Sequence, residues 1–64
     1  MKDNRDIIRE LEVGDKFKYR GHTYSWFGHI STMENNYDIV KVWNEKKQET
    51  KVKIWDTAGK VERL

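Results

Sequence analysis

The side chains that could carry out chemistry are few and scattered along the chain. The only histidines, His22 and His29, lie seven positions apart in one segment with strand-like alternation. Successive side chains of a strand point to opposite faces, so an odd separation keeps these two from binding one metal ion. No cysteine is present to act as a nucleophile, zinc ligand or disulfide partner. We therefore expect no enzyme activity, no metal and no cofactor.

One short string resembles a nucleotide-binding motif. Asp56-Thr57-Ala58-Gly59 resembles the D-T-A-G switch segment of Ras-like GTPases, in which the aspartate helps to hold Mg²⁺ and the glycine amide contacts the γ-phosphate. That chemistry needs an upstream phosphate loop of the form G-x-x-x-x-G-K-[ST], and no glycine of this chain begins one. The string instead predicts a turn in which Asp56 and Thr57 bond nearby amides and Gly59 takes positive φ.

Interleaved lysines and tryptophans give the main indication of a binding surface. In the segments around 37–44 and 49–55, one parity carries valine and isoleucine, and the other carries lysine and tryptophan. Directly opposed residues of an antiparallel hairpin share a face, so the cations and indoles should lie together and expose apolar area. The predicted partner-binding residues are Lys41, Trp43, Lys51, Lys53 and Trp55. Such a face suits a protein partner or a single-stranded nucleic acid.

Other arrangements of the same segments remain open. Tyr37, Ile39 and Trp43 could form the buried set of their strand, and the N-terminal helix could cover one of the indoles. A further basic strip consists of Lys16, Lys18 and Arg20, on the polar side of the first strand. This strip is a possible extension of the binding face or a solvated surface.

The periodicity of the sequence predicts one short helix followed by five strands. Asp3 or Asn4 can cap the helix, apolar residues at helical spacing can dock it, and Gly14 can stop it. From residue 16 the period is two, with predicted strands at Lys16–Arg20, His22–Ile30, Tyr37–Asn44, Glu49–Trp55 and Lys60–Leu64. The expected core comprises Phe17, Tyr19, Tyr24, Trp26, Val40, Val42, Val52 and Ile54. We expect one domain over 1–64, with a helix and turn at 1–14 and a small barrel or curled antiparallel sheet at 16–64.

The start of the sheet carries a family resemblance. The segment Leu11-Glu12-Val13-Gly14-Asp15-Lys16-Phe17, followed by Tyr19-Arg20-Gly21-His22-Thr23-Tyr24, resembles the opening of many SH3-like small β-barrels. It is also similar to small bacterial and prophage proteins of that type. The resemblance implies a five-stranded barrel and a binding role, and it implies no particular activity.

Composition and charge limit the classes of function. The 64 residues include 13 basic and 11 acidic side chains and no apolar run long enough for a membrane span. Residues 1–15 carry three basic and five acidic groups, a net −2, and residues 16–64 carry ten and six, a net +4. The absence of cysteine favours a cytoplasmic protein. We expect a protein-interaction module, such as a phage-type modulator of a host protein, with nucleic-acid binding as the alternative and homodimerisation left open.

Overall fold

The strands form a single antiparallel sheet in the computed structural model, which describes residues 2–64. The elements are α1 (Asn4–Arg9), β1 (Lys16–Tyr19), β2 (His22–Met33), β3 (Tyr37–Trp43), β4 (Glu49–Trp55) and β5 (Glu62–Arg63). Their order across the sheet is β4-β3-β2-β1-β5, and every neighbouring pair is antiparallel. The expected mainly β fold with a short N-terminal helix is confirmed.

Alternation along the strands gives the sheet an inner face, which carries the core, and an outer face. The buried apolar side chains are Ile8, Leu11, Phe17, Tyr19, Trp26, Val40, Val42, Ile54 and Val61. Tyr24 and Val52 are partly buried and pack against this core, and the other six expected core residues are buried. The predicted division into inward and outward parity is therefore confirmed.

The sheet curls without closing into a barrel. β1 and β4 are separated by two strands, yet the Tyr19 hydroxyl accepts a hydrogen bond from the Trp55 amide at 3.2 Å. The same hydroxyl donates to the Ala58 carbonyl at 2.7 Å. β4 pairs with β3 alone, so one edge of the sheet stays open. Of the two expected architectures, the curled sheet is confirmed and the closed barrel is not formed.

A capping box starts the helix. The Asp3 carboxylate accepts hydrogen bonds from the Arg5 amide at 2.9 Å and the Asp6 amide at 3.1 Å, and the Asp6 carboxylate accepts from the Asp3 amide. The bond from the Asp6 amide lowers the pKa of Asp3, because it stabilises the ionised form. The helix ends at Arg9, before Gly14, so the predicted glycine stop is wrong. Gly14 has a φ of 95° and forms the turn that leads into β1.

Asn4 joins the helix to the far end of the chain. Its side chain is buried and donates hydrogen bonds to the carbonyls of Trp55 at 3.0 Å and Gly59 at 3.2 Å. Its side-chain oxygen accepts from the Val61 amide at 3.0 Å, and its own amide donates to the Asp56 carbonyl at 2.8 Å. Asn4 therefore fixes α1 to β4, to the following turn and to the segment before β5.

One charged side chain lies within the core. The Asp38 carboxylate is fully buried on the inner face of β3. An Arg9 guanidinium nitrogen lies 3.0 Å from its Oδ2 atom, but neither carboxylate oxygen has a partner with hydrogen-bonding geometry. Arg9 therefore compensates the charge of Asp38 by proximity rather than by a directed bond, and it links the helix to β3.

β2 and β5 differ most in length from the sequence prediction, whereas β1 and β3 each end one residue earlier than predicted. β2 extends to Met33 and contains register shifts between Trp26 and His29 and between Ile30 and Thr32. β5 is limited to Glu62–Arg63, because only these residues pair with β1. Local alternation does not reveal either feature, since both depend on pairing with another strand.

The turn between β1 and β2 also lies one residue earlier than predicted. Arg20 has a φ of 52° and Gly21 a φ of 82°, so these two residues make the turn and β1 ends at Tyr19. Both positive φ values are typical of a tight hairpin connection. β2 begins at His22, as predicted.

We predict that replacing Asn4 will destabilise the whole domain. Asn4→Ala removes the partners of two carbonyls and one buried amide, and we expect a loss of about 2–4 kcal/mol of unfolding free energy. Asn4→Asp should be similarly damaging, because an ionised carboxylate cannot donate to the Trp55 and Gly59 carbonyls. Chemical denaturation measures both effects. Asn35→Ala, in an exposed turn, is the control and should change stability by less than about 0.5 kcal/mol; equal effects at both sites would contradict the role of Asn4.

Candidate binding face on the outer side of the sheet

The pairing of β3 with β4 brings the predicted partner-binding residues together. The facing pairs on the outer side are Tyr37 with Trp55, Ile39 with Lys53, Lys41 with Lys51 and Trp43 with Glu49. Directly opposed residues share a face, so all five predicted side chains lie on one surface. We call this surface the Lys/Trp face and define it as Lys41, Trp43, Lys51, Lys53 and Trp55.

The alternative arrangements are not observed. Val40 and Val42 are fully buried, whereas Tyr37, Ile39 and Trp43 are only partly buried, so the second reading of β3 is wrong. The helix does not cover the Lys/Trp face either. Ile8 and Leu11 pack into the core on the inner side.

Each indole of the face packs against a second aromatic ring. The Phe27 and Trp43 ring centroids are 4.7 Å apart at an interplanar angle of 50°, and those of Tyr37 and Trp55 are 4.9 Å apart at 54°. Both tryptophans are consequently only partly exposed. The expectation of large exposed indoles is corrected to two compact aromatic pairs, whose geometry is typical of favourable ring packing.

Lysine ammonium groups lie over these rings. The Lys53 Nζ atom is 4.5 Å from the Tyr37 ring centroid and 5.3 Å from that of Trp55. The Lys41 Nζ atom is 5.5 Å from the Phe27 centroid and 3.0 Å from the Glu49 carboxylate. Cation–π contact thus holds two of the three lysines in defined positions on the face.

The third lysine, Lys51, lies opposite Lys41 in the β3–β4 register. The backbone amide of Asp56 donates to the Asn36 carbonyl, and the backbone amide of Asn44 donates to the Gln48 carbonyl. These two bonds identify the hydrogen-bonded pairs at both ends of the β3–β4 ladder. The pairs alternate, so Lys41 and Lys51 form a non-hydrogen-bonded pair, the type with the closest side chains.

His29 lies opposite Lys41 on the other side, which extends the row of basic residues to β2. Lysines that face each other destabilise a sheet, and for Lys41 the Glu49 carboxylate at 3.0 Å offsets part of this effect.

The basic strip of β1 joins the outer face only in part. Lys16 is opposite Ser25, which in turn is opposite Trp43, so Lys16 shares a row with one indole. Lys18 lies opposite Glu62 of β5, a residue of opposite charge. Arg20 is in the turn, with its guanidinium 5.7 Å from the ring centroid of the buried Tyr19. The structure therefore places Lys16 and Lys18 on β1 and Arg20 in the turn, and the extension of the binding face stays a prediction.

Three residues of the surface were missed in the sequence. Phe27 and His29 reach the outer face on either side of Gly28, within the first register shift of β2. Gly28 has a φ of 92°, and a Cβ atom there would lie 2.6 Å from the Val13 side chain, so glycine is required at this irregular position. Tyr37 carries a detectable signal, its parity with Trp43, but the same parity also fits a buried set.

The remaining chemical motifs take local structural roles. The Thr57 amide donates to the Asp56 carboxylate at 2.7 Å and Gly59 has a φ of 75°, so the predicted turn is confirmed. His22 is opposite Tyr19 and His29 opposite Lys41, which places the histidines on opposite faces, as predicted. Among residues 2–64, no three histidine, aspartate or glutamate side chains come together as a potential metal site.

The chain was compared with protein-family models, with curated proteins and with solved structures, and none matches it. The SH3-like resemblance therefore stays a prediction. No helix within residues 2–64 has the length and apolar character needed to cross a membrane.

We predict that Lys51→Glu will stabilise the protein. The substitution replaces a like-charged facing pair by an opposite-charged one, and we expect a gain of about 0.5–1 kcal/mol at low salt. The gain should shrink as salt screens the exposed charges. Denaturant titrations at low and high salt measure it.

Lys46→Glu is the matched control for this prediction. It makes the same change in net charge in an exposed loop. An equal gain in the control, or a loss of stability in Lys51→Glu, would contradict the assigned strain between Lys41 and Lys51.

Proposed function

We propose that this protein is a non-enzymatic protein-interaction module that binds its partner through the Lys/Trp face. The observation that carries the proposal is the pair of aromatic clusters set among three lysines on a face that no other element of residues 2–64 covers. Tryptophan, tyrosine and charged neighbours of this kind supply much of the energy of protein interfaces. Lys51, which lies opposite Lys41, adds support, because an acidic partner would place a carboxylate beside it.

The contacts on the face favour a protein over a nucleic acid. Bases bind such surfaces by stacking on aromatic rings, but Lys53 lies over both Tyr37 and Trp55. Stacking would require its ammonium group to move. Glu49 lies opposite Trp43 and would repel a phosphate backbone, whereas a protein partner can place a donor beside it. We propose that this protein is cytoplasmic and that its partner is a protein. A host protein bound by a phage-type modulator would be one such partner.

Nucleic-acid binding is the second candidate, supported by the basic row of the outer face. His29, Lys41 and Lys51 lie side by side across three strands, with Lys53 in the next row. Salt dependence separates the candidates. Phosphate contacts release counterions, so Lys51→Ala and Lys53→Ala should each lower the salt slope of nucleic-acid binding by about one. For a protein ligand anchored by aromatic rings, the dependence on salt should be shallow.

We predict that the double variant Trp43→Ala/Trp55→Ala will lose its partner. Immobilised protein captures binding proteins from nuclease-treated lysate, and the captured partner is then purified for calorimetry. We expect affinity to fall by at least about 2 kcal/mol, roughly 30-fold, as for interface anchors. Stability should fall less than in Trp26→Ala, which leaves a core cavity costing about 3–5 kcal/mol.

Two further variants make this result interpretable. Met33→Ala/Leu64→Ala removes apolar side chains that are 68% and 69% exposed elsewhere and should bind normally. Lys41→Glu/Lys53→Glu keeps all the rings, so it tests the face even if the tryptophan variant unfolds. Full binding by this charge variant and by a folded Trp43/Trp55 variant would refute the proposal. Nuclease-sensitive capture with a steep salt slope would favour the second candidate.

A further inference from the structure

β4 has an unpaired backbone edge beside the Lys/Trp face. In the β3–β4 ladder, the backbone N–H and C=O groups of residues 50, 52 and 54 bond to β3. The same groups of residues 49, 51, 53 and 55 therefore point away from the sheet. At Trp55 both groups are satisfied, the amide by the Tyr19 hydroxyl and the carbonyl by Asn4. Within residues 2–64, the outward groups of Glu49, Lys51 and Lys53 have no protein partner.

This edge lacks the usual structural protection. Natural proteins cover or distort free edges with bulges, prolines or very short strands. β2, whose second half pairs only with β3, has two register shifts, and β5 has two residues. β4 pairs in one continuous register over all its residues and contains no proline. Only lysine side chains protect it, and they point to the outer face.

We propose that the protein partner adds an extended segment to the edge of β4 as a sixth strand, over Glu49–Lys53. This inference rests on the proposed function and gives its binding mode. The added strand takes the N–H and C=O groups of Glu49, Lys51 and Lys53 as partners, as in other cases of strand addition. Asn4 and Tyr19 close the edge at Trp55 and so set one limit of the paired segment.

The two sides of the edge specify the partner's side chains. On the outer side, alternate residues of the added strand lie next to Lys51 and Lys53, where acidic side chains match the charge. On the inner side, the edge borders an open cleft of about 620 Å³ between β4 and the start of β2, lined by Tyr24, Thr50 and Val52 among others. The partly exposed Val52 and Tyr24 offer apolar contact there. The partner segment therefore alternates acidic and apolar residues.

A second copy of this chain is the competing occupant of the edge. In an antiparallel self-pairing centred on Lys51, that residue faces its own copy and Glu49 faces Lys53 twice. Glu49 is the one acidic side chain of β4, so no antiparallel self-pairing of β4 places a carboxylate opposite both Lys51 and Lys53. An acidic strand does so, and it therefore fits the charge of the edge better than a second copy.

We test the inference with a synthetic peptide that alternates glutamate and valine, and with a control peptide of the same composition in separate blocks. Amide hydrogen exchange of the full chain is the readout. We expect saturable binding of the alternating peptide and at least tenfold slower exchange at Lys51 and Lys53. The amides of Val52 and Ile54, already paired with β3, serve as internal references and should not change.

Matched substitutions at one position separate edge pairing from face binding. Lys51→Ala removes the side chain and keeps the edge N–H, whereas Lys51→Pro also removes the N–H without affecting the ladder to β3. We expect the alanine variant to bind with a few-fold loss and the proline variant to show no binding. N-methylation of the Lys51 amide in the chemically synthesised chain repeats the test with the native side chain, should the proline variant not fold.

The outcomes distinguish failure of this inference from failure of the proposed function. No saturable binding up to about 1 mM peptide, or equal binding by the alanine and proline variants, overturns strand addition. Protection of Lys51 and Lys53 that rises with protein concentration in the absence of peptide also overturns it, in favour of a second copy. Loss of the lysate partner in the Trp43/Trp55 variant together with normal capture by Lys51→Pro would leave the proposed function intact and refute only the edge.

Discussion

The hydrogen bonds of the buried Asn4 side chain are the interaction on which the folded form of this small domain depends. The strand-to-strand hydrogen bonds can build the sheet from neighbouring segments, but they leave the carbonyls of Trp55 and Gly59 and the amide of Val61 without partners. One side chain with two donors and an acceptor satisfies all three. The result holds α1 and the last segment of the chain against the inner face, where Ile8 and Val61 complete the core.

The two faces of the sheet consequently meet different requirements. The inner face is apolar and covered, except at Asp38, whose charge Arg9 balances. The outer face departs from what stability alone favours, since cations face each other and aromatic rings remain partly exposed. Proteins commonly violate local stability rules where they bind something. In this protein the departures cluster on β3 and β4, the strands farthest from β5, and the same β4 carries the open backbone edge.

Much of this arrangement could be predicted from the sequence, because it follows from alternation. β4 was located with its correct bounds, since Thr50 to Ile54 alternate without interruption, and the parity of Val40 and Val42 placed the Lys/Trp set on one side. The positions of Phe27 and His29 could not be predicted, because a register shift around Gly28 sets them. The role of Asn4 was also hidden, since its partners lie at the other end of the chain.

The exposure of the tryptophans could not be predicted from the sequence either. Parity places Trp43 and Trp55 outward, but whether an outward ring is free depends on its neighbour across the strands. Tyr37 covers Trp55 through the β3–β4 register, and Phe27 covers Trp43 through the irregular part of β2. Sequence patterns give the face of a residue, and only the pairing gives its exposed area.

The long reach of Asn4 sets the order in which the chain can fold. Its side-chain bonds join residues 51, 55 and 57 positions apart, whereas each hairpin joins neighbouring strands. Contacts across such separations form late, because closing the larger loop costs more conformational entropy, and α1 is too short to be stable before it docks. Until then the Trp55 carbonyl has no partner, so the intermediate presents a longer unpaired strand edge than the native protein. Docking of the helix closes the Trp55 end of this edge and so shortens the stretch through which chains can pair with one another.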